Sequence, residues 1–111
     1  MQDDIASGAE LSVDHIHPQI MFKKNKIKGI IDKNDIDYYK HNICNLQILP
    51  KSINSSKGDK SLEEWIKSTD AKKYSFLIPS LGDYSINNCI EFFKNRKELL
   101  IEKLREKLSF N

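Results

Sequence analysis

Four residues have the types and spacing to carry out chemistry together: Asp14, His15, Asn54 and Lys57. Asp14 and His15 end a short apolar run in Val13-Asp14-His15-Ile16-His17-Pro18, and the other two lie in a second segment running from Asn45 to Lys57. Hydrolysis of a phosphodiester needs a base for water, a cation near the scissile phosphate, and donors that hold the phosphate in line. Asp14 offers a hard carboxylate oxygen and Asn54 an amide oxygen. Two such ligands with open positions suit one Mg²⁺ or Mn²⁺ ion, and other divalent metals can enter such a site. His15, left unligated, has the side chain that can act as a base near neutral pH. Lys57 lies one helical turn beyond Asn54, on the same face, where it could neutralise phosphate.

The elements around these residues follow from local pattern. Residues 1–9 are polar and contain Gly8, so they read as a frayed entry. Glu10 to His15 alternates as a short strand that Pro18 would end, because proline brings no ladder donor. Leu46 to Leu49 is a second apolar run bounded by Asn45 and Pro50, and the two runs would pair as an antiparallel ribbon. Between them, Gln19 to Ile31 reads as a basic loop or short extended segment, an insertion over the site. Asp32 to Cys44 contains an acidic first turn for a short helix.

From Lys51 a helix is expected with Asn54, Ser55 and Lys57 on its exposed face, closed by Gly58. Ser61-Leu62-Glu63-Glu64 is a capping box that starts another helix, carrying Trp65 as a core anchor. Ile78 to Asp83 is rich in turn residues. Ser85 would cap the longest helix, with Ile86, Ile90, Phe93, Leu100, Leu104 and Leu108 as a core-packing stripe.

Composition narrows the function classes. The chain has 111 residues, 39% apolar and 31% charged, an ordinary balance for one domain. No apolar run approaches the ~20 residues of a membrane span. The acidic start, Met1-Gln2-Asp3-Asp4, argues against a secretory signal, so a cytoplasmic protein is expected. Cys44 and Cys89 are too few for a four-cysteine zinc cage and read as reduced, packed thiols.

A net charge of only +2 is uninformative, but its distribution is not. Lys23, Lys24, Lys26 and Lys28 fall within six residues, and Lys51, Lys57 and Lys60 flank the second segment. A phosphate backbone is a natural partner for such patches. His17, two positions past His15, can touch phosphate or simply pack. His41 has no neighbours that assign it a role, and Arg96 reads as a structural ion-pair partner.

Asp-His-Ile-x-Pro, then Asn-Leu-x-x-Leu, then Asn with Lys three positions on, resembles the HNH endonuclease superfamily. That resemblance implies a ββα-metal fold, with Asp14 and Asn54 as metal ligands, His15 as general base and Asn45 bracing the ribbon loop. Asp-His-Ile-His-Pro-Gln, Asn-Leu-Gln-Ile-Leu-Pro, Ile-Asn-Ser-Ser-Lys-Gly-Asp-Lys, Glu-Glu-Trp-Ile and Phe-Phe-Lys-Asn-Arg are similar to the C-terminal nuclease domain of GmrSD-type restriction proteins. In that family the domain usually follows a large nucleotide-hydrolysing, DNA-sensing portion and serves defence against phage. Many superfamily members have histidine where Asn54 stands, and some add a ligand where this chain has Gly58. The amide favours hydrated Mg²⁺ or Mn²⁺ over zinc or nickel. Cys44 stands where related sequences often have glycine.

The expectation is an α+β domain over residues 1–111, with a ββα-metal core at 10–60 and a helical buttress at 61–108. It would nick DNA, leaving 3′-hydroxyl and 5′-phosphate ends, as an excised domain or a stand-alone relative. Its DNA contacts would come from Lys57, Lys60, His17, Lys23, Lys24, Lys26 and Lys28. A larger DNA-sensing domain or subunit is the expected partner, and dimerisation or successive nicks would be needed for double-strand breaks. The alternatives are a catalytically silent DNA-binding module and a nuclease toxin acting on DNA or RNA.

Overall fold

The computed structural model describes residues 10–27, 29–75 and 77–108, the side chains of Lys24 and Asn25 apart. Two strands, β1 (Leu11–His15) and β2 (Leu46–Pro50), pair antiparallel with Ser12 opposite Leu49, Asp14 opposite Gln47 and His15 opposite Leu46. Successive strand residues point to opposite faces. One face therefore carries Ser12, Asp14, Gln47 and Leu49, and the other carries Leu11, Val13 and Ile48, which are exposed.

The helix that follows, Lys51–Lys57, lies on the first face. With α1 (Lys24–Ile27) and α2 (Ile36–His41) preceding it in the chain, it is α3, and β1, β2 and α3 form a strand–strand–helix unit within a mixed α+β fold. Gly58 closes α3 with φ +51°, a backbone conformation that L side chains rarely adopt, and its N–H returns to the Asn54 carbonyl at 3.0 Å.

Beyond α3 come α4 (Leu62–Trp65), α5 (Thr69–Tyr74) and α6 (Cys89–Leu108). Ser61 and Glu64 form the capping box read from the sequence: the Ser61 Oγ accepts from the Glu64 N–H at 3.1 Å, and Glu64 Oε1 accepts from the Ser61 N–H at 3.4 Å. Trp65 is buried, as expected of a core anchor, with Ile16, Leu49, Leu62, Ala71, Tyr74, Ile78 and Phe92. Burying an Ile, Leu or Phe side chain contributes about 1.5–3 kcal/mol, so this cluster ties ribbon, α4, α5 and α6 together. No helix of the described residues is long and apolar enough to cross a membrane.

Three expectations about elements are corrected. The stretch from Gln19 to Ile31 is not a loop over the site. A 3-10 turn at Gln19–Phe22 and the turn of helix α1 bury Phe22, Ile27 and Ile31 against Ile86 and Cys89 in a second core. The lysines mask this apolar spacing in the sequence. Ser85 makes no side-chain cap; a 3-10 turn at Ile86–Asn88 leads into α6 instead. Finally, the α6 stripe is not core throughout: Cys89, Phe92 and Arg96 are buried, whereas Leu104 and Leu108 are 59% and 70% exposed. Among the described residues, no element covers the last turns of the helix.

Candidate active site

α3 docks with the face bearing Asn54 and Lys57 against β1. Three helix residues rise ~4.5 Å and two strand residues span ~6.6 Å, so residues 54 and 57 lie over residues 12 and 14. The Asn54 Nδ2 donates to Ser12 Oγ at 2.8 Å and to the Val13 carbonyl at 3.4 Å. The Lys57 Nζ lies 3.3 Å from Asp14 Oδ1 and donates to the His15 and Ile16 carbonyls, each at 3.1 Å. Gln47, opposite Asp14 in the ribbon, donates from Nε2 to Asp14 Oδ2 at 2.8 Å.

Lys57 is thus corrected from a solvent-facing phosphate contact to a buried ion-pair partner, 1% exposed, with its ammonium 5.7 Å from the centre of the Trp65 ring. Burial holds its pKa below the ordinary lysine range, with Asp14 pulling the other way. An ammonium in such a place must be compensated, and one carboxylate and two carbonyls do it.

Asn45 sits just before β2 and is buried. Its Oδ1 accepts from the His17 N–H at 2.8 Å, and its Nδ2 donates to the carbonyls of His17 and Lys40, both at 3.0 Å. Its own carbonyl accepts from the Ile16 N–H at 2.7 Å. One amide therefore fixes the exit of β1 to the last turn of α2.

His15 ends β1 half-buried, and its Nε2 lies 3.1 Å from Nδ1 of His41, the exposed last residue of α2. The two rings meet edge to face with centres 5.2 Å apart. Burial lowers the His15 pKa most, and His41 lowers it further, while Asp14 raises it. His41 and Gln47 are the residues that sequence reasoning missed. Neither stands in a motif; Gln47 needed the strand register, and His41 needed a contact across 26 residues.

His17 takes the packed alternative, and its place among the DNA contacts is the second correction. It is 2% exposed, packed edge to face on Phe92, and its pKa is lowered by burial, and next by Lys57, to about 4. It lies in the interior, where no phosphate can reach it. Arg96 is the third: it donates from Nη2 to the Leu46 carbonyl at 3.0 Å, has no ion pair among the described residues, and its Nε and Nη1 are buried without partners. Lys23, Lys26 and Lys60 are exposed, with Lys60 Nζ 2.7 Å from the Ser56 carbonyl. The Lys24 side chain and Lys28 lie outside the described residues.

The donor chemistry fits a hard cation better than zinc. Among the described residues each Asp14 oxygen has one partner and keeps a lone pair, and the Asn54 amide oxygen accepts no hydrogen bond. No group of three or more His, Cys, Asp or Glu side chains among the described residues converges there. An all-oxygen pair supplemented by water suits Mg²⁺ or Mn²⁺, with the Lys57 ammonium as a resident competitor for Asp14.

No curated protein matches the chain. A family model for the C-terminal domain of GmrSD restriction endonucleases matches residues 2–103. That match spans nearly the whole chain, including the ribbon, α3, and the residues gathered around Asp14 and His15. The chain therefore belongs to the GmrSD restriction endonuclease C-terminal domain family, and with it to a restriction-related class of nucleases.

Proposed function

We propose that this chain is an HNH-type endonuclease that hydrolyses DNA phosphodiester bonds with Mg²⁺ or Mn²⁺, nicking one strand at a time. The observation that carries this reading is a geometry: His15 ends β1 beside Asp14, with Asn54 and Lys57 of α3 over the same strand. His15 takes the proton of the attacking water. Asp14 and Asn54 would hold the cation, which when bound supplies charge stabilisation at the phosphate and the leaving oxygen. Asn45 braces the loop that orients His15. Lys57 keeps Asp14 in place, and Lys23, Lys24, Lys26, Lys28 and Lys60 draw the DNA backbone to the surface. The chain would serve in the cytoplasm as the nuclease part of a restriction or phage-defence system, alongside a nucleotide-hydrolysing, DNA-sensing domain or subunit.

Relaxation of supercoiled plasmid tests this. Wild-type protein should nick in Mg²⁺ or Mn²⁺ and stop in chelator, and His15→Ala should lose the ~10²–10⁴-fold that a general base supplies. Nicking that persists in the variant or in chelator overturns the mechanism. A second reading, a DNA-binding module without turnover, is favoured by one contact, the Lys57 ammonium that already neutralises Asp14. DNA binding without nicking at high protein concentration, in either metal, would select it.

A further inference from the structure

The His15–His41 contact belongs to no motif and joins two segments held by one buried side chain. Asn45 grips both backbone groups of His17, two residues after His15, and the carbonyl of Lys40, one residue before His41. The ring contact, with Nε2 of His15 and Nδ1 of His41 at 3.1 Å, is thus fixed by the fold from both sides.

A hydrogen bond between two neutral imidazoles needs one N–H and one lone pair, which leaves two arrangements. If His41 donates, the only lone pair of His15 is occupied and its other nitrogen already bears hydrogen; no nitrogen is then free for water. If His15 donates from Nε2, its Nδ1 keeps a free lone pair. Only the second arrangement is compatible with a base.

We infer that His41 is the positioning residue of His15: its Nδ1 accepts the Nε2–H of His15 and thereby leaves His15 Nδ1 as the nitrogen that takes the proton from water. The inference rests on the nuclease reading above. In the step, the water O–H bond breaks, its hydrogen passes to His15 Nδ1, the water oxygen bonds phosphorus, and the bond from phosphorus to the leaving sugar oxygen breaks. The electron pair of that bond stays on the sugar oxygen, which takes a proton from solvent water to become the hydroxyl. His15 becomes an imidazolium, and its bond to His41 becomes charge-assisted and stronger, so the contact favours the transition state over the ground state. No proton needs to leave Nε2. His41 is exposed, so its replacement leaves the core intact.

Two measurements on the full chain test this. Two-bond ¹H–¹⁵N correlation spectra of the ¹⁵N-labelled protein, recorded where both rings are neutral, should show His15 as the Nε2–H form. His41→Ala should turn His15 into a mixture of both forms, and His41→Gln, whose amide oxygen can accept the same hydrogen, should restore it. In plasmid nicking, His41→Ala should lower kcat roughly ten- to a hundredfold, at or below what the base itself supplies, with KM unchanged and most of kcat recovered by His41→Gln. An Nδ1–H form of His15 in the wild type, or spectra and kcat that do not respond to His41→Ala, overturns the inference while leaving the nuclease reading intact. Absence of nicking by the wild type overturns the nuclease reading instead, and the spectra still report whether His41 sets the form of His15.

Discussion

His17 carries a neutral imidazole where a charge cannot be tolerated. Its ring is packed on Phe92, its Nε2 is buried without a partner among the described residues, and burial and the nearby Lys57 hold its pKa at about 4 instead of 6.5. The unfolded chain takes up a proton near the ordinary value, whereas the folded chain resists until about 4. Between those values the unfolded state binds more protons, so stability is complete above the window and falls as pH drops through it. At about 1.4 kcal/mol per pH unit the whole window is worth on the order of 3 kcal/mol. His17→Leu should remove that part of the acid sensitivity. Urea midpoints of both proteins at about pH 7 and about pH 4.5 measure it; parallel losses in the two proteins would mean that His17 takes its proton without opening the core.

At the scale of elements, the joint between ribbon and α2 depends on one amide. Asn45 supplies one acceptor and two donated bonds to backbone groups that no other side chain serves among the described residues. A buried group left unpaired costs about 1–3 kcal/mol. Asn45→Ala, which strands the N–H of His17 and two carbonyls, should therefore cost several kcal/mol in urea unfolding. Asn45→Asp keeps the acceptor but sets a buried carboxylate against the two carbonyl oxygens, so it should cost at least as much. If Asn45 only braces, surviving folded Asn45→Ala protein should also show weakened contact between His15 and His41, seen in the same histidine spectra. A loss below about 0.5 kcal/mol would mean that the loop is held by its packing and not by the amide.

Across the whole molecule, charge is divided between an interior pair and an exposed basic segment. Lys57 is spent on Asp14 inside the fold, so under the proposed function attraction to a phosphate backbone would fall to exposed lysines such as Lys23, Lys26 and Lys60. Each phosphate neutralised adds about 0.9 to the slope of log affinity against log salt on duplex DNA. Changing Lys23, Lys24, Lys26 and Lys28 together to Ser should weaken DNA binding and flatten that slope by up to about 3–4. A binding titration across salt concentrations checks this, and an unchanged slope would return the segment to a solvated face. Because Phe22, Ile27 and Ile31 anchor the segment in the second core, the lysine substitutions should leave thermal stability nearly unchanged.

Local signals were enough for much of this protein. Two short apolar runs, stopped near Pro18 and Pro50, determined the ribbon; Gly58 determined the end of α3; Ser61 and Glu64 determined the start of α4. Each depends on dihedral preference or on hydrogen bonds within a few residues, and such rules read the same in any fold. The juxtaposition of Asp14 with His15 and the helical spacing of Asn54 and Lys57 were legible for the same reason. Tertiary structure alone decided which way those side chains were used. Lys57 looked solvated because lysine usually is, yet the docking of α3 on β1 turned it inward to Asp14, 43 residues earlier in the chain. His41 looked idle until Asn45 drew α2 against the end of β1. The stripe on α6 looked like core along its whole length, but periodicity records only that a face is apolar; whether another element covers it is settled where the packing stops.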